Sequence, residues 1–130
     1  MLIADELRKN PRIEEAVAHQ LTDTYGVRAR GIADRVVSAP ALAARLDETL
    51  PFILAQIDTA VEEEFALTLD DVLERRLPVL LRAHDQGMAA APIVATRMAH
   101  LLGWNETRKA QELAAYAGVV ARTRQFRARS

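Results

Sequence analysis

Cysteine is absent from the 130 residues, which removes disulfides, thiolate zinc sites and thiol catalysis together and leaves stability to packing. Aromatic residues make up only 5% of the chain, so the core must be built from aliphatic side chains. The five glycines stand singly, at positions 26, 31, 87, 103 and 118. Neither a dinucleotide-binding fingerprint nor a P-loop can therefore be written anywhere along the chain. No uninterrupted apolar run approaches the roughly 18 residues that read as a membrane span. The first ten residues, MLIADELRKN, lack the basic-then-apolar layout of a signal peptide. A soluble, cytoplasmic domain is expected. Neither sign of charge prevails: 17 basic and 18 acidic residues leave a net charge of −1, so no global field draws the chain to nucleic acid or to an anionic membrane.

Half of the residues are hydrophobic, and Ala and Leu, which lose least side-chain freedom in a helix, dominate them. This composition predicts an all-α fold, a single compact multi-helix domain over 1–130. Asn10 and Pro11 read as an N-cap and first helical residue, and Ile13, Val17 and Leu21 then recur at a helical period up to Gly26. A second helix with Ile32, Val36 and Val37 should stop before Pro40, and a short one around Leu42 to Leu46 before Pro51. From Phe52 onward Ile53, Ile57, Ala60 and Val61 form one stripe, and stepping 100° per residue carries it to Glu64. Thr68 with Asp71 has the form of a capping box opening a short helix in which Leu69, Val72 and Leu73 share a face with Arg76. Val79 to Leu81 fits either an extended or a helical segment. A helical stretch around Gln86 to Ala91 is expected to restart at Pro92, turning Val94, Met98 and Leu101 inward and stopping at Gly103. Asn105 caps the last one, whose expected inner stripe is Ala110, Leu113, Ala114, Ala117 and Ala121.

Chemistry-bearing patterns are sparse. His19, His84 and His100 lie far apart without partners at ligand spacing, and Ser38 and Ser130 have no nucleophile-elbow setting. No catalytic residue, no cofactor-binding residue and no metal ligand is assigned. The carboxylates between Asp58 and Glu74 read mostly as a solvated face. Glu64 and Arg76 differ, because each falls on the apolar face of its own helix, where an unpaired charge costs several kcal/mol. Two readings stand: an internal ion pair between Glu64 and Arg76 or Arg75, which is preferred, or an arginine pair that reaches an anionic ligand such as phosphate. Trp104, beside a helix cap, reads as a packing anchor. Arg122, Arg124, Arg127 and Arg129 make a short basic end, read as a frayed terminus favourably placed at the negative end of a helix dipole, with weak lipid or subunit contact as its alternative.

Three segments carry a resemblance: LTDTYG at 21–26, LPFILAQIDTAVEEEFALTLDDVLERR at 50–76 and LLGWNETRKAQELAAY at 101–116. In order and spacing, from about His19 to Tyr116, they resemble the C-terminal helical domain of the FAD-dependent glycerol-3-phosphate dehydrogenases and α-glycerophosphate oxidases. The family pattern falls on Ala55, Ala60, Glu64, Thr68, Leu69, Asp71, Leu73, Arg75 and Arg76, and later on Gly103 and Trp104. Gln56 stands where the family commonly has Glu, and Leu77 where Thr is usual.

The resemblance implies an accessory or cap domain of an enzyme that oxidises glycerol 3-phosphate to dihydroxyacetone phosphate. Its FAD and catalysis would belong to a flavin-binding region outside this chain, which is the implied partner. The chain by itself is expected to be inactive. Met1 is read as the start of an excised domain, whose freed packing face invites self-association into a homo-oligomer. Peripheral membrane contact is a property the resemblance allows to the parent enzyme. The competing reading is a free-standing helical module that binds a protein or lipid partner.

Overall fold

The computed structural model describes residues 3–129; the readings placed on Met1, on Ser130 and on the side chain of Arg129 lie outside the described residues. Seven α-helices are present among them: α1 (Ile3–Arg8), α2 (Glu15–Tyr25), α3 (Ala29–Ser38), α4 (Ala55–Glu62), α5 (Val79–Arg82), α6 (Ala91–Leu102) and α7 (Glu106–Arg129). Two 3₁₀ turns, Gly26–Arg28 and Pro40–Ala43, flank α3, and a π-helical turn spans Asp71–Arg76. The fold is all-α in character, with one two-stranded hairpin among the described residues, β1 (Arg45–Asp47) and β2 (Leu50–Ile53).

That hairpin corrects the helix expected over Leu42 to Leu46. After the 3₁₀ turn the chain extends, and Arg45 pairs with Ile53 and Asp47 with Leu50 in antiparallel register. The Asp47 carboxylate accepts hydrogen bonds from the Thr49 N–H at 2.8 Å and the Thr49 hydroxyl at 2.5 Å, an Asx-type closure that competes directly with helix formation. Leu46, Leu50 and Phe52 then point inward. Pro51 lies within this hairpin, where a missing N–H is tolerated.

The core has two lobes. One joins Leu7, Val17, Leu21, Ile32 and Val36 from α1, α2 and α3; the other joins the hairpin, α4, α5, α6 and α7 through Phe52, Ile57, Leu73, Leu80, Val94, Met98 and Tyr116. Leu54, between β2 and α4, packs against both lobes. Helix α4 is consequently the seam of the molecule, and every residue from Ala55 to Val61 is buried. Its expected single stripe is thus replaced by burial all round, as befits a central helix.

Asn10 holds the turn ahead of α2, accepting from the Arg12 N–H at 2.9 Å, while α2 itself begins only at Glu15. Gly103 ends α6 in the left-handed region at φ 72°, and the Asn105 side chain caps α7 by accepting the Arg108 N–H at 2.8 Å. The inner face of α7 differs from the expected one. Leu113, Tyr116 and Val120 face the core, whereas Ala110, Ala114 and Ala121 are exposed. Tyr116 decides the phase: its ring buries far more apolar area than an alanine, and its hydroxyl donates to the Gln86 carbonyl at 2.6 Å. The basic end also departs from a frayed terminus, because Arg124 Nε donates to Gln86 Oε1 at 2.8 Å and ties α7 to the turn before α6.

Candidate functional site

The sequence-selected charges gather where α4 ends. Two N–H groups, of Glu63 at 2.9 Å and Glu64 at 3.2 Å, donate to the Thr59 carbonyl, and the Ala66 N–H closes a seven-residue turn on the Ala60 carbonyl at 2.9 Å. This closure, one residue wider than the six-residue Schellman turn, stops the helix with buried Ala66 against its last turn, and its left-handed position is filled by Phe65 at φ 59°. Glycine is the residue that usually stands there, because a side chain in this region costs about 1 kcal/mol or more.

The helix therefore ends two residues before Glu64, and the 100° phase cannot be extended to it. The Glu64 side chain is 18% exposed, with its carboxylate 3.9 Å from both Arg28 and Arg76. The expected charge-assisted hydrogen bond to Arg76 is not formed; instead Arg76 Nη2 donates to the Glu64 backbone carbonyl at 3.2 Å. The preferred Glu64–Arg76 pair is thus present as a 3.9 Å ion pair that Glu64 shares with Arg28, while Arg76 also satisfies a helix-end acceptor. Arg75 projects away, 72% exposed, with only a 3.8 Å approach to Asp71.

Asp71 forms the reciprocal box with Thr68. Its N–H donates to the Thr68 hydroxyl oxygen at 3.0 Å, and its carboxylate accepts from the N–H groups of Thr68 at 3.2 Å and Leu67 at 3.0 Å. Burial works to raise the Asp71 pKa, but the hydrogen bonds from Leu67 and Thr68 outweigh it and hold the carboxyl below its ordinary range. The helix so opened is a π-turn, closed by the Leu77 N–H on the Val72 carbonyl at 2.8 Å. Along it Asp70 and Glu74 form an acid pair: hydrogen bonding to Asp70 raises the Glu74 pKa, with burial adding to the effect. A proton shared with Glu74 would satisfy Asp70 Oδ1, which is buried without another hydrogen-bond partner.

Trp104 is half-buried against the larger lobe, and the Arg108 guanidinium lies 5.1 Å from its ring centre. Arg108 Nε bonds Glu112 Oε2 at 3.2 Å, and Glu112 Oε1 accepts the Leu69 N–H at 3.0 Å. The structure thus links Trp104 to the Thr68–Asp71 box through two side chains that sequence reasoning did not select.

Two further polar centres were missed. Asp58, read as part of a solvated face, is buried and gripped by Arg97 from α6. Gln56 is 0% exposed and exchanges two amide hydrogen bonds with Gln20, at 2.9 and 3.1 Å, while also accepting from the Ile53 N–H and donating to the Tyr25 hydroxyl. The one available signal was the departure of Gln56 from the family's Glu.

Leu54, Pro92, Ile93, Thr96, Arg97 and His100 line an open groove of about 620 Å³ on α6. Among the described residues, no three His, Asp or Glu side chains converge as metal ligands, and no helix is long and apolar enough to cross a membrane.

Comparison with known proteins adds the family. Residues 2–109 match the model of the C-terminal domain of alpha-glycerophosphate oxidase, which begins earlier than the resembling segments and stops near the start of α7. The chain is 34% identical over 107 residues to a probable mitochondrial glycerol-3-phosphate dehydrogenase of Dictyostelium discoideum, covering 82% of this chain and 17% of that protein. A glycerol-3-phosphate dehydrogenase of Synechocystis is 33% identical over 92 residues, 71% of this chain and 17% of its own length. One of Mycobacterium leprae is 32% identical over 96 residues, 74% and 16% respectively. No solved structure matches significantly. The chain spans about 17% of the length of the first two of these relatives, and by its match over 2–109 it belongs to the family of C-terminal domains of alpha-glycerophosphate oxidase.

Proposed function

We propose that this chain serves as the helical accessory domain of an FAD-dependent glycerol-3-phosphate dehydrogenase and packs against the flavin-binding region of the parent enzyme. The observation that carries this reading is the match of nearly the whole domain to about a sixth of proteins named as glycerol-3-phosphate dehydrogenases. The site geometry agrees with it. Arg76 and Asp71 spend their hydrogen bonds on backbone groups of this chain, and Glu112 divides its own between the Leu69 N–H and the Arg108 side chain, which is the chemistry of a rigid support.

Flavin would supply the two-electron acceptor for the alcohol, but the residues here do not fit it. The short strands form a hairpin closed by Asp47 and Thr49, and among the described residues no strand, glycine turn and helix follow one another as a dinucleotide cradle requires. Oxidation of glycerol 3-phosphate to dihydroxyacetone phosphate is therefore assigned to residues outside this chain. Such a domain would occupy an aqueous compartment, with any membrane contact of the parent enzyme peripheral.

A dye-linked assay with glycerol 3-phosphate and added FAD tests the assignment. The purified 130-residue chain should show no turnover, whereas a chimera carrying it in place of the matched segment of the Synechocystis relative should retain FAD and oxidise the substrate. Turnover by the chain alone would overturn the reading.

A further inference from the structure

Phe65 breaks a local rule without benefit to the domain that contains it. It occupies the left-handed position where glycine suits the backbone, yet its ring is 79% exposed and packs into neither lobe. Two residues on, Leu67 is 60% exposed as well, while Ala66 between them is buried. A mobile loop could fold such side chains away. This one is fixed from both sides, by the Ala66 N–H on the Ala60 carbonyl, by Arg76 on the Glu64 carbonyl, and by the Asp71 carboxylate on the Leu67 and Thr68 N–H groups. An apolar pair held rigidly outward loses little conformational freedom on binding. An aromatic anchor with arginine beside it has the composition of an interface hot spot. The cations are present: Arg28, Arg75 and Arg76 surround the turn, the first and last 3.9 Å from Glu64 and the other against Asp71.

Resting on the accessory-domain reading, we propose that the Phe65–Leu67 turn is the anchor by which this domain docks into the flavin-binding region of the parent polypeptide, Phe65 entering an apolar pocket whose acidic rim meets Arg75. The occupant follows from what the comparisons leave uncovered. The relatives carry more than four-fifths of their length beyond the part this chain matches, and the turn lies inside the matched residues 2–109. A local conflict between backbone preference and residue type is also where function, rather than folding, is expected to have set the sequence.

Hydroxyl-radical footprinting with mass-spectrometric readout tests the proposal, comparing the free 130-residue chain with the Synechocystis chimera described above. Oxidation of Phe65 and Leu67 should fall about fivefold or more in the chimera, as for side chains moved into a water-excluding interface, while Phe126 reacts equally in both. Protection of Val27, Val37 or Ile93 with Phe65 still reactive would overturn the docking turn and leave the accessory-domain reading standing. Protection of no surface of this chain in a soluble chimera would overturn both. A measurement on the free chain alone keeps the proposal open to refutation should the chimera not fold. Phe65→Gly should raise the melting temperature, since it relieves the left-handed side chain and removes an exposed aromatic. A lowered melting temperature would show that Phe65 serves this domain's own fold, and would sink the proposal.

Discussion

Arg97 grips Asp58 with two parallel hydrogen bonds, Nε to Oδ1 at 2.8 Å and Nη2 to Oδ2 at 2.6 Å, and so ties α6 to the central helix α4. The Asp58 side chain is only 5% exposed, so Arg97→Ala leaves an uncompensated charge inside the fold. Urea unfolding should show a loss of about 3–5 kcal/mol, the range for breaking a buried pair from one side. Asp58→Leu combined with Arg97→Leu removes both charges and should recover most of that loss. A double variant no more stable than Arg97→Ala would mean that the pair itself, rather than the stranded charge, carries the stability.

The Gln56 amide sits at the same seam, with Gln20, the Tyr25 hydroxyl and the Ile53 N–H as its partners. None of these is a cation. Gln56→Glu would place a carboxyl in a fully buried site, where desolvation raises its pKa above the unfolded value. The stability of that protonated form is present below the unfolded pKa and lost as pH rises through the folded one. The variant should therefore come closest to the parent near pH 4–5 and fall away toward pH 8, around the ordinary glutamate pKa of about 4.3 and above it. Equal losses at both ends, followed by thermal unfolding, would contradict this.

Much of the helical plan was legible in the sequence because it rests on local chemistry. The Thr68–Asp71 box, the Gly103 stop and the Asn105 cap are written in residues three or four apart, and each forms hydrogen bonds the spacing allows. What was not legible depends on distant partners. Asp58 lies 39 positions from Arg97 and Gln56 36 from Gln20, so no window contains both members. The missing Glu64 side-chain hydrogen bond has another origin: extending a helical phase assumes that the helix continues, and Phe65 in a glycine-favoured conformation gave no sequence sign of a stop. The α7 stripe failed because counting small residues overlooked the pull of one tyrosine.

Asp71 and Glu74 should pull the pH dependence in opposite directions. The folded pKa of Asp71 is lowered, so its contribution is present above the unfolded value of about 3.9 and lost as pH falls through the folded value. Asp71→Asn should cost about 1 kcal/mol at pH 7, the usual worth of a cap, with the difference shrinking toward pH 2. The folded pKa of Glu74 is raised by Asp70, so its contribution is present at low pH and lost as pH rises. Glu74→Gln should raise the melting temperature at pH 7 and lose that advantage near pH 4. Thermal scans of both variants across this range check the signs.

Gly87 is the position where a single methyl group should do most harm. Its φ is 82°, and a Cβ built there meets the Tyr116 hydroxyl oxygen at 2.9 Å and Val79 Cγ1 at 3.0 Å. Tyr116 cannot retreat cheaply, because its hydroxyl is bonded to the Gln86 carbonyl and its ring is a large fully buried side chain of the larger lobe. Gly87→Ala therefore combines backbone strain of about 1–2 kcal/mol with displacement of that ring, and a total loss of about 3 kcal/mol is expected from overpacking of this kind. Pairing it with Tyr116→Phe, which removes the nearest atom, should return part of the loss although Tyr116→Phe alone costs about 1 kcal/mol for the missing hydrogen bond. Denaturant titration of the two single variants and the double variant closes the cycle; simple additivity would show that the methyl group never reaches the ring.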